Sequence, residues 1–381
     1  MTLSTYRRCA RCIMDTSVED IYFDAAGICN YCHQFDTDVI PNWYPNEEGA
    51  KIWQGLVDKI KAERGRKEYD CILGMSGGVD SSYLALKLHE AGLKPLVVHV
   101  DAGWNSELAV NNIEKVVQYC GFDLHTVVID WEDVRSLQLA YLKSGVANQD
   151  VPQDHIFFST LYHFATQNSL RYIMSGGNIA TEGVYPKVWQ AAAMDALNLK
   201  AINKKYGERS LRNYRTVSFF QAYIWFPLIK GMRTLRPLNY MPYVKSAAMQ
   251  ELHEKTGYVA YDRKHGESLF TKLFQNHYLP EKFGYDKRLP HYSSLILSRQ
   301  MTREDALAKL DEPLYEALEL ENDIQYLCKK LRISRDEFTS LMNCKIHHYS
   351  EFRNWDSYYR FLKKGQAIVE RLLGKKVRIF S

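Results

Sequence analysis

Short apolar runs alternate with helix-like stretches over the first two thirds of the chain. The apolar runs occupy residues 69–75, 96–101, 126–130, 171–177 and 234–238. Residues 81–91 and 108–119, between these runs, and residues 244–255, after the last of them, carry apolar positions at helical spacing. Because parallel strands need long crossover connections, this alternation predicts an α/β fold with a doubly wound parallel sheet. From about residue 251 the pattern is helical alone, and Thr302 and Ser334 each begin a capping-box pattern.

The composition narrows the class of protein. With 46% hydrophobic and 25% charged residues, the chain is not of a disordered type. Its longest apolar run, residues 219–229, is shorter than the roughly 20 residues of a membrane helix, and no secretory signal pattern is present. We therefore expect a cytoplasmic protein without a membrane partner. The net charge of +4 arises in residues 251–381, with 23 Lys and Arg against 19 Asp and Glu, which argues against a nucleic-acid partner.

Four cysteines form two CxxC pairs near the start of the chain: Cys9 with Cys12, and Cys29 with Cys32. Each pair can direct two thiolates at one ion, and the spacing is typical of a structural zinc site, although iron with the same ligands remains an alternative. We predict a zinc module over residues 1–45 and a sheet domain over residues 46–250, with a linker at residues 42–49. A helical C-terminal region, residues 251–381, is predicted to contact substrate.

The first predicted strand leads directly into the string SGGVDSS, residues 76–82. A doubly wound sheet binds its ligand at the carboxyl ends of its strands, which is where this string lies. Two glycines permit a sharp turn, and the N–H groups at the following helix start, with the serine hydroxyls, are suited to an anion. No Gly-Lys-Ser/Thr sequence follows, so the string is not a Walker A loop.

The string SGGVDSS resembles the pyrophosphate loop of the PP-loop ATP pyrophosphatases, whose fold is of the adenine nucleotide alpha hydrolase type. Further strings resemble the N-acetyl sugar amidotransferase branch of that superfamily: RRCARCIMDT, FDAAGICNYC, YDCILGMSGGVDSSYLA, MSGGNIATEG and YDRKHGESLFTKLFQNHYLPEKFGYDKR. Together they cover about residues 7–310. The resemblance implies a role in bacterial surface-polysaccharide biosynthesis, such as that of lipopolysaccharide O-antigen.

The resemblance also implies a reaction. ATP and magnesium would be used to adenylate the acetamido oxygen of an N-acetylated nucleotide sugar or nonulosonic acid, with release of pyrophosphate. Ammonia would then displace AMP from the imidate and leave an acetamidino group. No segment resembles a glutaminase, so the resemblance implies a partner glutaminase with a cyclase-like barrel subunit. The alternative is a PP-loop enzyme that modifies tRNA, a thiolase or a lysidine-type ligase, but no second CxxC pair follows Cys32.

The motifs and the resemblance together predict roles for individual residues. The predicted ATP-binding residues are Ser76, Gly77, Gly78, Val79, Asp80, Ser81, Ser82, Asp101 and Gly176. Three residues are predicted to be catalytic. Asp80 would help hold magnesium or order the loop, Glu182 would hold magnesium or orient ammonia, and Lys245 would reach the pyrophosphate. The predicted substrate-binding residues are Asn178, Lys264, His265, Glu267, Ser268, Lys287 and Arg288, the arginine being suited to a bidentate contact.

Several of these residues have a plainer alternative. Asp101 is equally suited to helix capping, Glu182 to a surface loop, Lys245 to an exposed position, and residues 264–288 to a solvated charged stretch. Trp104, Tyr185 and Trp189 are candidates for stacking on a base or sugar, or else for the core.

Overall fold

The structure, a computed structural model, describes residues 6–189, 192–261 and 266–373. The strands in these residues are β1 Cys71–Gly74, β2 Pro95–Asp101, β3 Asp123–Val128, β4 Tyr172–Met174 and β5 Arg233–Leu235. They form one parallel sheet in the order β3-β2-β1-β4-β5, so the predicted parallel sheet is confirmed. The chain moves outward from β1 to β3 and then crosses back to β4. The strand order therefore reverses between β1 and β4, which is where such sheets bind ligands.

The helices fill the connections and the C-terminal third. They are α1 Asn30–Gln34, α2 Glu47–Arg64, α3 Val79–Glu90, α4 Glu107–Cys120, α5 Trp131–Ser144, α6 Val151–Gln167, α7 Ile179–Glu182, α8 Ala196–Tyr206, α9 Lys245–Thr256, α10 Leu269–Leu273, α11 Leu279–Phe283, α12 Arg288–Leu297, α13 Arg303–Leu310, α14 Ala317–Leu331, α15 Arg335–Met342 and α16 Asp356–Leu373. The longest apolar run forms a π-helix, Gln221–Ile229. None of the described helices is long and apolar enough to cross a membrane.

The sheet is covered by helices on both faces. Leu73 of β1 packs with α3, α4 and α9, whereas its neighbour Ile72 packs with α5, α6 and α8 on the opposite face. Successive side chains of a strand point to opposite faces, so a strand buried on both sides must be apolar throughout. This is why β1 and β2 appear in the sequence as unbroken apolar runs.

A third core joins the N-terminal residues to the C-terminal helices. Ile13 and Phe35 are buried in one cluster with residues of α10, α12 and α14. Arg303, the first residue of α13, donates to the backbone oxygens of Cys9 at 3.0 Å and Cys12 at 3.1 Å. The cysteine segment is thus hydrogen-bonded to the C-terminal helices, although nearly 300 residues separate the two in sequence.

The predicted linker at residues 42–49 is packed against the sheet domain, and its last residues begin α2. The Tyr44 ring stacks on Tyr240 with the ring centroids 6.2 Å apart, and the Tyr44 N–H donates to the Asn239 oxygen at 2.8 Å. A Cβ atom at Gly49 would lie 1.8 Å from the Tyr44 oxygen, so only glycine fits there. These contacts attach the segment to the 3-10 turn that follows β5.

Both predicted helix starts near the C-terminus are confirmed. The Thr302 hydroxyl accepts from the Asp305 N–H at 3.1 Å, and the Ser334 hydroxyl accepts from the Glu337 N–H at 3.1 Å. At Ser334 the box is reciprocal, because its own N–H donates to the Glu337 carboxylate at 2.6 Å. Each contact satisfies an N–H group that the helix itself leaves without a partner.

Candidate active site

The glycine turn of residues 76–82 is held by contacts on two sides. Gly77 has φ +84°, a conformation that L side chains rarely adopt, and a Cβ atom there would lie 2.7 Å from the Ala109 oxygen of α4. On the other side, the hydroxyls of Tyr258 and Tyr261 each donate to the Gly77 oxygen at 3.0 Å. The turn is therefore fixed before any ligand binds.

The three serines of the loop are placed differently. The hydroxyl oxygens of Ser76 and Ser81 lie 3.4 Å apart, and both residues line cavities described below. Ser82 is fully buried, and its hydroxyl has no hydrogen-bond partner in the described part of the chain. The structure thus brings Ser76 and Ser81 to the crevice and leaves the predicted phosphate donor Ser82 beneath it.

Asp80 lies in the first turn of α3 and is contacted by a buried tyrosine. The Tyr243 hydroxyl donates to the Asp80 carboxylate. Burial, followed by the negative charge of Asp80, holds the pKa of Tyr243 well above its usual range, so the tyrosine stays protonated and remains a donor. This hydrogen bond orients the Asp80 carboxylate at the mouth of the loop.

Three cavities surround the loop, and Glu182 lines all of them. The acidic cavity, about 380 Å³, is lined by residues that include Ser76, His99, Asp150, Asp154, Glu182 and Glu267. The basic cavity, about 410 Å³, is lined by residues that include Gly78, Asp80, Glu182, Lys245, Lys287 and Lys309. The strand-end cavity, about 350 Å³, is lined by residues that include Gly74, Phe157, Ile173, Gly176, Glu182 and Arg236. The loop and Glu182 therefore form the centre of one crevice.

The basic cavity combines two features suited to phosphate. Lys245, Lys287 and Lys309 line it, and the N-terminus of α3 brings the positive end of a helix dipole. Lys287 also lies over the Tyr185 ring, with its nitrogen 5.4 Å from the ring centroid. Of the predicted residues, Lys245, Lys287 and the loop are brought together here.

The end of β4 packs directly on the loop. A Cβ atom at Gly176 would lie 2.8 Å from backbone atoms of both Asp80 and Ser81, so this glycine permits the contact. Asn178 is buried and occupied as the N-cap of α7: its oxygen accepts from the Thr181 N–H at 3.0 Å, and its amide donates to the Gly176 oxygen at 3.2 Å. The predicted substrate contact of Asn178 is corrected to a structural cap.

Arg288 is also committed within the fold. Its guanidinium donates to the Asp286 carboxylate at 2.8 and 3.1 Å, and to the backbone oxygens of Lys309 at 3.2 Å and Glu312 at 2.7 Å. Arg288 lines the basic cavity, but in this structure its guanidinium holds Asp286, so the bidentate contact with a substrate anion stays a prediction. Arg288 joins the start of α12 to the end of α13.

Asp101 ends β2 as predicted, and its carboxylate is hydrogen-bonded to the turn that follows the strand. Its carboxylate accepts from the Gly103 N–H at 2.7 Å and from the Asn105 amide at 3.2 Å, while α4 is capped by Ser106. The helix-cap interpretation is replaced by a tight turn at Gly103, where φ is +84°, and the nucleotide contact stays a prediction.

The remaining predicted residues divide into three groups. Glu267 lines the acidic and basic cavities, and Ser268 lines the acidic cavity while its hydroxyl donates to Gln153 at 3.2 Å. Lys264 and His265 lie outside the described residues. Trp104 and Trp189 are 2% and 1% exposed and belong to the core rather than to a ligand site. Trp189 stacks on Tyr285 with the centroids 4.7 Å apart.

Helix α6 contributes residues that the motifs did not reveal. Asp150, which precedes the helix, and Asp154, within it, line the acidic cavity, and Phe157 lines both the acidic and the strand-end cavities. The only signal in the sequence is a pair of aspartates four residues apart at the start of an apolar helix, which by itself is common. Their importance depends on α6 crossing the sheet near β1.

The four predicted metal ligands converge. The sulfur atoms of Cys9, Cys12, Cys29 and Cys32 all lie within 4.8 Å of one another, and all four residues are fully buried. The Cys9–Cys32 and Cys12–Cys29 sulfur distances are 3.8 and 3.6 Å. A tetrahedral zinc with bonds of about 2.3 Å places its sulfurs about 3.8 Å apart, so the residues fit such an ion.

The cysteine segment reaches the crevice through one aromatic ring. A Cβ atom at Gly183 would lie 2.5 Å from the Phe35 ring, so the ring sits directly against this glycine. Gly183 immediately follows Glu182, the residue shared by the three cavities. The cysteine segment therefore packs against the end of α7 through Phe35.

The C-terminal part of the chain is similar to a known protein family. Residues 267–366 match the family model described as LPS biosynthesis protein WbpG-like, C-terminal domain. GMP synthases [glutamine-hydrolyzing] of Shewanella denitrificans and Shewanella halifaxensis are each 41% identical over 95 residues, which is 24% of this chain. The matched stretch spans only 16% of those relatives. The family match lies in the C-terminal helical region, outside the loop of residues 76–82.

Two solved structures are similar at lower identity. The NMN synthetase from Francisella tularensis aligns with a TM-score of 0.31 and 15% identity, covering 58% of this chain and 99% of that one. The NH3-dependent NAD synthetase from Campylobacter jejuni aligns with a TM-score of 0.30 and 14% identity, covering 70% of this chain and 97% of that one.

Proposed function

We propose that this protein is an ATP-dependent amidotransferase that converts the acetamido group of an N-acetylated sugar into an acetamidino group, with AMP and pyrophosphate as products. The observation that carries the proposal is the loop of residues 76–82, which lies among a basic cavity, an acidic cavity and a partly apolar cavity that share Glu182. The basic cavity suits phosphate, the acidic cavity suits a nitrogen nucleophile, and the partly apolar cavity suits an adenine ring. The substrate is a nucleotide sugar or a nonulosonic acid.

The first step forms the adenylate. The amide oxygen attacks the α-phosphorus of ATP, the bond to the β-phosphate oxygen breaks, and pyrophosphate leaves. The loop N–H groups, the Ser76 and Ser81 hydroxyls and Lys245 lie where they can stabilise the departing charge. The Phe157 and Ile173 side chains of the strand-end cavity are suited to the adenine ring.

The carboxylates of Asp80 and Glu182 fit a magnesium ion, since both line the basic and strand-end cavities and oxygen donors are what this ion prefers. When bound there, magnesium neutralises phosphate charge. Asp80, oriented by Tyr243, and Glu182, supported through Gly183, would be its protein ligands.

The second step replaces oxygen by nitrogen. Ammonia adds to the imidate carbon, the carbon–oxygen bond breaks, and AMP departs as a far better leaving group than oxide. We propose that the ammonia comes from a partner glutaminase with a cyclase-like barrel subunit. The WbpG-like match supports a role in lipopolysaccharide biosynthesis, and the likeness to GMP synthase supports a nitrogen transfer.

The same proposal assigns parts of the chain to tasks. Residues 1–45 would form a structural zinc module, residues 46–250 the ATP domain, and residues 251–381 a helical region that contacts the sugar. Four of the substrate-contacting candidates line the crevice: Glu267, Ser268, Lys287 and Arg288.

The test is a mass-spectrometric assay with ATP, magnesium, an N-acetylated sugar and isotope-labelled ammonium. The sugar should gain one labelled nitrogen and lose one oxygen, while ATP is converted to AMP. Asp80→Ala and Ser76→Ala should abolish AMP formation, whereas Ser340→Ala, at an exposed position of α15, should not. Formation of ADP would refute the adenylation step. If this chain alone used free glutamine as well as it uses ammonium, the proposal of a partner glutaminase would be refuted.

A further inference from the structure

The acidic and basic cavities differ sharply in charge although both adjoin the loop. Four carboxylates line the acidic cavity: Asp150, Asp154, Glu182 and Glu267. Among its described lining residues there is no lysine or arginine. A low-dielectric cavity with one sign of charge concentrates ligands of the opposite sign, so this one favours a small cation such as ammonium over a phosphate.

The carboxylates of this cavity are not equally available. Asp150 accepts from the Thr271 hydroxyl at 3.0 Å and from the Gln153 amide at 3.2 Å. The backbone N–H of Asp154, one turn further along α6, donates to the Asp150 oxygen at 2.9 Å, but its carboxylate makes no hydrogen bond or ion pair with any described residue, and the residue lines the cavity. It shares that cavity with Ser76, the first residue of the loop. Asp154 is thus an uncommitted carboxylate within reach of the space beside the loop.

The surroundings of Asp154 favour binding a proton. Burial raises the pKa of its carboxyl, the negative charge of Asp150 raises it further, and Lys287 opposes the shift. A carboxyl shifted toward neutral pH is an effective general base, because it accepts a proton strongly while still ionised in a useful fraction. The titratable and charged groups around it are His99, Asp150, Glu182, Tyr185, Tyr214, Glu267 and Lys287.

We infer that Asp154 is the proton acceptor for the nitrogen nucleophile and that the acidic cavity receives this nucleophile, an inference that rests on the proposed function. The ammonia lone pair forms a bond to the imidate carbon, and the carbon–nitrogen π electrons move onto the sugar nitrogen, which keeps the proton that it carried in the amide and becomes neutral. The carboxylate of Asp154 then removes a proton from the added –NH3⁺ group. The new nitrogen forms a double bond to carbon as AMP leaves with the carbon–oxygen electron pair. No group is oxidised or reduced.

The experiment measures the two half-reactions separately in the full-length protein. ATP–pyrophosphate exchange with an N-acetylated sugar reports adenylation and needs no ammonia, whereas incorporation of labelled ammonium reports transfer. Asp154→Asn should keep exchange within about threefold of wild type and lose transfer by about 100-fold or more, the usual range for a general base. Asp154→Glu should recover part of the transfer. Asp58→Asn, on the exposed face of α2, is the matched control and should change neither reaction.

Two further readouts separate a proton acceptor from a structural residue. Hydroxylamine, which is largely unprotonated at neutral pH, should restore transfer in Asp154→Asn, because it depends less on a protein base. The transfer rate of wild type should rise with pH through the titration of the base, and this rise should disappear in Asp154→Asn.

The outcomes that overturn the inference are distinct. Equal losses of exchange and transfer in Asp154→Asn would mean that the residue supports ATP binding or the fold. Wild-type transfer in this variant would also refute its role. Absence of exchange in the wild-type protein with every N-acetylated sugar tested would instead overturn the proposed function itself, and this inference with it.

Discussion

The Gly77→Ala substitution tests the idea that the loop is rigid before ligand binds. Gly77 has φ +84°, and its missing Cβ atom would lie 2.7 Å from the oxygen and 3.0 Å from the Cα atom of Ala109. Both are backbone atoms of α4, so no side-chain rotation can relieve the contact. Either the loop or the start of α4 must move.

The same helix offers a matched control at its other end. Gly121 has φ +64°, and nothing lies within 4 Å of the position where its Cβ atom would be. Both alanine variants therefore lose about 1–2 kcal/mol from the left-handed backbone conformation. Gly77→Ala should lose about 1–3 kcal/mol more from overpacking. The difference between the variants isolates the steric contact beneath the loop.

Gly77→Ala should affect the rate of ATP–pyrophosphate exchange more strongly than it affects the stability of the fold. A displacement of about 1 Å in groups that position a reactant can lower a rate about 100-fold. We expect Gly77→Ala to lose ATP–pyrophosphate exchange by about that factor, and Gly121→Ala to retain it. Urea unfolding gives the two stabilities. Exchange within about threefold of wild type in Gly77→Ala, or an equal loss in Gly121→Ala, would refute the reasoning.

Two further predictions concern the metal and pH. Cys29→Ser should lose the bound metal ion and much of the folded yield, because a structural zinc can contribute on the order of 10 kcal/mol; it should also lower exchange, since Phe35 supports Gly183. Well-folded protein without metal would contradict this. Burial would raise the pKa of Glu251, but hydrogen bonds from Lys255 and other neighbours lower it to about 2. A carboxyl with a lowered folded pKa contributes stability above its unfolded pKa of about 4.3, and this contribution is lost as the pH falls toward 2. Glu251→Gln should thus be less stable than wild type at pH 7 by urea unfolding, and the gap should close in acid; a constant gap would refute the assignment.

The parts of the fold that the sequence predicted are those set by local geometry. The apolar runs of β1 and β2 followed from burial on both faces, and the caps at Thr302 and Ser334 from hydrogen bonds within one helical turn. The paired cysteines and the glycine turn at residues 76–82 are likewise short strings whose spacing carries their geometry. In each case the interacting groups are near one another in the chain or in a fixed repeat.

The assignment of side chains in the site depended on the tertiary structure. Arg288 and Asn178 have the chemistry of substrate-binding residues, but the fold supplies both with internal partners. Asp154 stands in an apolar helix without a motif and becomes important only because α6 crosses the sheet and reaches the cavity beside Ser76. The sequence shows which side chains can donate or accept a hydrogen bond and which can ionise. Which of them remain unpaired in a crevice is decided by packing between segments that lie tens to hundreds of residues apart, because that packing determines both burial and the available partners.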